Sequence, residues 1–448
     1  MDKLEAIARE LKERVAQFDP DIFARQMTSY INGITLPWNI SIMKGLVSPF
    51  RQLFYLLNLN ITSPTRSYKK YFDQNQDWPA LKKKLDEMET IHKYEYGELK
   101  PFAEHLLEEM GAEEVVRRRQ IGSSTYTAFF HVGPLHYEEQ AIEKITELYK
   151  NFDAELTDKF GWNSSDILAI YDKLDALLQE RQDKAFLKQP KKQLSQDEFK
   201  AEILTAMANG STFQDAMLAT SDAPTGMFEY VTDPSSTNMF TLDDLDGIPK
   251  PLVDLVLQEL TVSRYTDDTY LYFSQPNQLY KKPIYCFANG SYLLLDHRVL
   301  LSAMSGLLQQ KCAEIIKNQN RITVARDKYL ERKLESIFEV FYQSNPNVKI
   351  IPSYYLEQGG NERDLLVLDG KTALIIEAKA GKIREPIYDP DKAYNRIWQD
   401  FKDTIDYGYE QAFSVKEKFL AKLPFDIYDK KKNVLMTIDP SILGTYIR

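Results

Sequence analysis

NERDLLVLDGKTALIIEAKAG, residues 361–381, is the stretch whose reading decides the fold of the C-terminal third. Two apolar runs flank Asp369-Gly370, and Asp-Gly between such runs is a strong hairpin signal. The pattern predicts strands over Asp364–Leu368 and Ala373–Ala380. Side chains alternate faces along a strand, so Ala373, Ile375, Glu377 and Lys379 share one face. Leu374, Ile376 and Ala378 share the other, which is wholly apolar. A Glu and a Lys therefore project together from the end of a strand that otherwise reads as buried. Asp364 stands at the head of the partner strand. Counted outward from a turn at Asp369-Gly370, Asp364 is five residues away and Glu377 seven, so convergence calls for a small register offset or a bulge.

Working outward, DKYLERKLESIFEVFYQ (327–343) predicts a helix with Leu330, Leu334, Ile337, Phe338 and Phe341 on one side. Val348 to Leu356 is a strand candidate, and Gly359-Gly360 a turn. Beyond the hairpin, a long helical region over 391–420 opens with the stripe Tyr394, Ile397, Trp398, Phe401 and Ile405. That aromatic stripe reads as core in preference to a base-stacking platform. NVLMTID (433–439) predicts one more strand.

Two carboxylates brought within a few ångströms repel unless a cation lies between them. Hard oxygen ligands suit Mg²⁺ or Mn²⁺, which also take phosphate oxygens. The carbonyl of Ala378 lies between the two functional side chains and is a candidate further ligand. Lys379 then has two roles open to it: positioning a water, or stabilising charge that builds on a phosphate.

Asp364, twelve residues, then Glu377-Ala378-Lys379, on consecutive strands after a Glu-bearing helix, resembles the PD-(D/E)XK nuclease superfamily. The resemblance covers roughly residues 327–440. It implies a restriction endonuclease-like core, a mixed sheet flanked by helices, and cleavage of DNA, less often RNA, with Mg²⁺. By position it makes Asp364 and Glu377 metal ligands and Lys379 the active-site lysine. It places a Glu of the preceding helix in the metal shell, Glu335 ahead of Glu331. Exonuclease-like branches add a Gln on the following helix, for which Gln411 and Gln399 are both candidates. Arg363 stands where the nominal motif has Pro.

The rest of the chain reads as helical at first. Leu4, Ile7, Ala8, Leu11, Val15 and Phe18 follow one helix face, as do Leu81, Leu85 and Met88, and Tyr137 to Phe152. Ser165 is a candidate cap for a further helix, and Thr125–Val132 a strand candidate. KQPKKQLSQD (188–197) reads as a linker, and 282–295 as a hairpin about Asn289-Gly290. The expectation is an α+β multidomain chain. It has a helical domain over 1–190, a mixed linking region with a β-hairpin over 191–300, and an α/β nuclease-like domain over 301–448.

Composition narrows the function classes. Two cysteines, Cys286 and Cys312, provide neither a disulfide framework nor a zinc cage. The five histidines show no ligand spacing. No apolar run reaches membrane-span length, and the charged N-terminus lacks a signal-peptide core, so the cytoplasm is the default compartment and no membrane partner is expected. Net charge is −10, but residues 301–448 hold 23 Lys+Arg against 21 Asp+Glu, which is compatible with binding phosphates. Arg117–Arg119 and Lys430–Lys432 read as solvated faces. The expected function is Mg²⁺- or Mn²⁺-dependent cleavage of nucleic acid, DNA ahead of RNA, with defence against foreign DNA as the analogous role. The alternative is an inactive nuclease-like scaffold that binds nucleic acid or protein. A protein partner or a second copy would then engage the helical N-terminal domain.

Overall fold

The computed structural model describes residues 3–33, 40–64, 70–96, 104–131, 137–186, 195–212, 215–216, 219, 233–315, 320–381, 387, 389–442 and 445–447. Most of the 188–197 linker lies outside these residues. The chain forms two units, Met1–Val116 with Ser123–Ile315, and Arg117–Gly122 with Ile316–Arg448.

The first unit is mainly helical. Helices α1 (Lys3–Val15), α2 (Pro20–Asn32), α3 (Pro49–Ile61) and α4 (Gln74–Tyr96) pack about one apolar core. The α1 stripe Leu4, Ile7, Ala8, Leu11 and Val15 is buried, together with Leu81, Leu85 and Met88 of α4. Phe18, Phe23 and Phe72 meet edge-on or stacked inside it. The middle of the chain joins the same core through Val262, Leu279, Tyr285, Leu293 and Val299. Four short strands, β1 (Met239–Phe240), β2 (Thr261–Val262), β3 (Ile284–Cys286) and β4 (Tyr292–Leu294), form a mixed sheet in the order β1-β4-β3-β2.

Four local expectations are corrected here. Residues 125–131 continue the Ala112–His131 helix and form no strand. The Ser164–Phe186 helix is capped by Asn163, whose Oδ1 accepts the Ser165 and Asp166 amides, and not by Ser165. The β3–β4 hairpin closes through a three-residue loop, with Phe287 and Ser291 bonded across it and Gly290 alone at positive φ. That is the type I turn with a left-handed third residue. Arg119 is also buried, so the arginine triple is not a wholly solvated face.

The second unit is built on a six-stranded sheet. Its strands are β5 (Lys349–Tyr355), β6 (Glu362–Asp369), β7 (Thr372–Ile376), β8 (Phe425–Tyr428), β9 (Val434–Ile438) and β10 (Thr445–Ile447). The order is β10-β7-β6-β5-β8-β9, antiparallel throughout except that β10 runs parallel to β7. Helix α5 (Asn320–Tyr342) contacts β5. The expected single helical region divides into α6 (Pro390–Phe401), a π turn over Lys402–Asp406 and α7 (Tyr407–Leu420). Leu366, Ala373 and Ile375 of the sheet pack with Ala412, Val415 and Phe419 of α7. On the apolar side of α5, Leu330, Leu334 and Phe338 are half-buried, while Ile337 and Phe341 are exposed.

Phe419 anchors this core. It is fully buried, and its ring meets Phe425 edge-on at 5.2 Å. Phe419→Ala is expected to destabilise the second unit by about 3–5 kcal/mol. Hydrogen exchange of the β6 and β7 amides measures this, and unchanged protection would contradict the packing described.

Candidate active site at the end of the β6–β7 hairpin

The site follows from the turn. Asp369 pairs with Thr372, so the loop is Gly370-Lys371 and not Asp369-Gly370. Gly370 alone has positive φ, the demand of the first position of a type II′ turn. This register continues to Leu365 opposite Ile376. One step further, Asp364 falls opposite Glu377 on the same face, with no offset or bulge.

The ladder stops there and side chains take over. Asp364 Oδ2 accepts the Ala378 N–H at 2.6 Å. Lys379 Nζ donates to Glu377 Oε2 at 2.9 Å and lies 3.5 Å from Asp364 Oδ2. Side-chain exposure is 3% for Glu377, 15% for Asp364 and 22% for Lys379. The lysine ammonium is thus the cation between two carboxylates. The start of α7 closes over the pair: the Tyr407 ring lies 5.6 Å from Lys379 Nζ. A Cβ added to Gly408 would come within 3.4 Å of Lys379 Cγ and 3.8 Å of Glu377 Cβ. Arg326 of α5 donates to the Ala380 carbonyl at 2.7 Å and fixes the segment after the lysine. An open cleft of about 760 Å³ leads in, lined by Ile376, Glu377, Lys379, Thr404, Ile405, Gly408 and Tyr409, among others.

Opposite Asp364, the β5–β6 ladder is interrupted. Pro352 pairs with Leu365 and Tyr354 with Arg363, while Ser353, at φ +50°, makes no pair with Asp364. Positive φ at a non-glycine residue is strained, and such strain gathers at functional sites. The kink explains a break in alternation. Tyr354 packs with Leu366 and Ile375, which strict period two would place on the opposite face.

The electrostatics are those of a crowded acidic pocket. Burial pushes Glu377 above the ordinary glutamate value; the Lys379 hydrogen bond opposes this, and the Asp364 charge adds to it. Desolvation, then the charges of Asp364 and Glu362, raise Glu331 on α5. Burial, then the charge of Glu377, raises the Tyr354 hydroxyl. Glu377 Oε1, Arg363 Nε, Tyr354 Oη and Gln411 Oε1 are buried without a hydrogen-bond partner. Such atoms are rare in folded proteins and call for a reason.

The structure brings Asp364, Glu377 and Lys379 together. Ala378 enters through its amide, which donates to Asp364; its expected part was through the carbonyl. The helix carboxylate that feels Asp364 is Glu331; among the described contacts none joins Glu335 to the pair. Gln399 donates to Asp403 at 2.6 Å, whereas the side-chain oxygen of Gln411 is buried without a hydrogen-bond partner. Tyr354 and Gly408 went unrecognised in the sequence, and Arg363 was noted there only at the motif's Pro position. Only the glycine between two tyrosines, Tyr407-Gly408-Tyr409, carried a local signal.

Among the described residues, no three His, Cys, Asp or Glu are gathered at metal-ligand spacing. The donors present still fit a hard divalent ion in kind: two carboxylates, one with a buried oxygen that nothing else satisfies.

Because Glu377 is raised, the folded chain holds its proton more tightly than the unfolded chain. Stability from this group is therefore greatest below the ordinary glutamate value and falls as pH rises through the raised one. Urea midpoints measured against pH should show that fall in the native chain and lose it in Glu377→Gln; superimposable profiles would overturn the burial argument. Comparison of the chain with protein-family models, with curated proteins and with solved structures gave no match.

Proposed function

We propose that this chain is a divalent-metal-dependent phosphodiesterase acting on nucleic acid, DNA ahead of RNA, with a PD-(D/E)XK-like catalytic centre at Asp364, Glu377 and Lys379. The observation that carries the reading is Glu377 Oε1, a buried carboxylate oxygen without a partner, beside Asp364 and Lys379 at the mouth of a cleft. Leaving a buried carboxylate oxygen unpaired is costly, and a divalent ion would satisfy it. A sheet whose last strand runs parallel to β7, with α5 and α7 packed on it, also supports a restriction endonuclease-like core.

Asp364 and Glu377 would hold Mg²⁺ or Mn²⁺, and such an ion supplies Lewis acidity toward a phosphate ester. The Ala378 amide orients Asp364 by its hydrogen bond. Glu331 adds negative charge from the helix side. Lys379 lies at the open edge, and its ammonium stabilises charge developing on phosphate oxygens. Arg363 fixes the α7 side through Ser414 at 3.0 Å.

One observation favours a second reading. Lys379 already lies against both carboxylates, as it would in an inactive scaffold that only binds nucleic acid or protein.

The two readings separate in a cleavage assay on single- and double-stranded DNA with Mg²⁺ or Mn²⁺. Cleavage should stop with EDTA and fall at least about 100-fold in Asp364→Asn and in Lys379→Ala, with the circular dichroism melt retained. Full activity in either variant removes the mechanism, and no metal-stimulated cleavage of DNA or RNA by the native chain leaves the scaffold.

A further inference from the structure

The aromatic stripe of α6 is not core along its whole length. Tyr394 is buried, but Trp398 is 46% exposed and Phe401 37%. The three rings are nearly parallel: Tyr394 and Trp398 lie 6.4 Å apart at 8°, Trp398 and Phe401 5.5 Å apart at 12°. At the inner end the Arg118 guanidinium covers the Tyr394 ring at 4.7 Å and Arg117 bonds its hydroxyl at 3.0 Å, which holds the base of the ladder rigid. At the outer end Lys402 lies 5.3 Å from the Trp398 ring centre.

The ladder runs directly into the cleft. Phe401 ends α6, and the π turn after it carries Thr404 and Ile405, both cleft-lining residues. A π turn inserts one extra residue and rephases the helix, and such turns concentrate at functional sites. Immediately beyond it, the Tyr407 ring faces Lys379 Nζ at 5.6 Å. Along this path aromatic rings alternate with ammonium groups: Trp398 with Lys402, Tyr407 with Lys379.

We infer that Trp398 and Phe401 are a stacking surface for the unpaired bases of a single-stranded nucleic acid whose backbone passes Lys402 toward Lys379. Flat rings left exposed along one helix, with Trp398 beside Lys402 and Tyr407 beside Lys379, match the repeating base and phosphate of a single strand. In a duplex both faces of each base are already stacked, so these rings offer it little. The turn also carries two acidic groups, Asp403, which accepts from Gln399, and Asp406 at its end. The inference deepens the phosphodiesterase reading by naming its substrate form, and it rests on that reading for the purpose of the strand but not for its binding.

The test uses the full chain, with EDTA present so that nothing is cut. A fluorescein-labelled oligodeoxynucleotide is titrated by anisotropy, single-stranded and annealed to its complement. Trp398→Ala should weaken single-strand binding by about 10-fold while Trp398→Phe retains most of it, and duplex binding should not change. Lys402→Ala should lower the slope of log affinity against log salt by roughly 0.7 for the single strand. Native single-strand affinity in Trp398→Ala would overturn the inference, and so would equal losses for both nucleic-acid forms. A chain that self-associates, and becomes monomeric in Trp398→Ala with oligonucleotide binding untouched, would assign the patch to a second copy instead. A stacking loss in Trp398→Ala with no cleavage by the native chain keeps the platform and removes the phosphodiesterase; cleavage with unaltered binding does the reverse.

Discussion

The hydrogen bond from the Ala378 amide to Asp364 Oδ2 closes the β6–β7 hairpin at the end away from its turn, and the candidate site is arranged around it. The two-residue turn fixes register, register sets Asp364 against Glu377, and the amide bond then holds one carboxylate still while the strand ends. Lys379 is carried to the same place because it follows Glu377 by two residues, one full period of the strand. A shift of one residue anywhere in the ladder would send Glu377 and Lys379 to the opposite face.

This arrangement is costly by itself. Glu377 is nearly inaccessible, and a second carboxylate stands beside it. A buried charge without a partner is strongly unfavourable, and the Lys379 ammonium offsets part of that. What it does not offset is visible in the unpartnered oxygens of Glu377 and Gln411, the unpartnered Arg363 Nε and the Tyr354 hydroxyl, all buried. The strained Ser353 backbone adds to the same account of local instability. Below the site, Leu366, Ile375, Val415 and Phe419 supply the apolar packing that keeps these groups in place.

The first unit is organised on other terms. Its core is apolar and aromatic, and several of its buried polar groups serve the backbone. Lys12 donates to the carbonyls of Asp267 and Tyr270, and Asn60 to those of Val15 and Phe18. Each ties a loop or helix end that would otherwise leave carbonyls unpaired in the interior. These groups read as structural.

The residues of the site were legible in the sequence because they follow from local rules. An Asp-Gly turn between apolar runs marks a hairpin, and alternation puts Glu377 with Lys379 at the end of a strand. The stripes of α1 and α4 were legible for the same reason, since helical period is a property of neighbours in the chain. What tertiary structure decided was everything set by contact between distant segments. The turn lies one residue later than its composition suggests, because pairing and not composition fixes register, and that removes the bulge the sequence called for. The charge of Asp364 reaches Glu331, which the sequence ranked behind Glu335, because the rotation of α5 against the sheet is fixed by packing. Helical period alone could not show that Trp398 and Phe401 stay in solvent: an apolar stripe states which side of a helix would be buried, and only the neighbouring elements settle whether anything covers it.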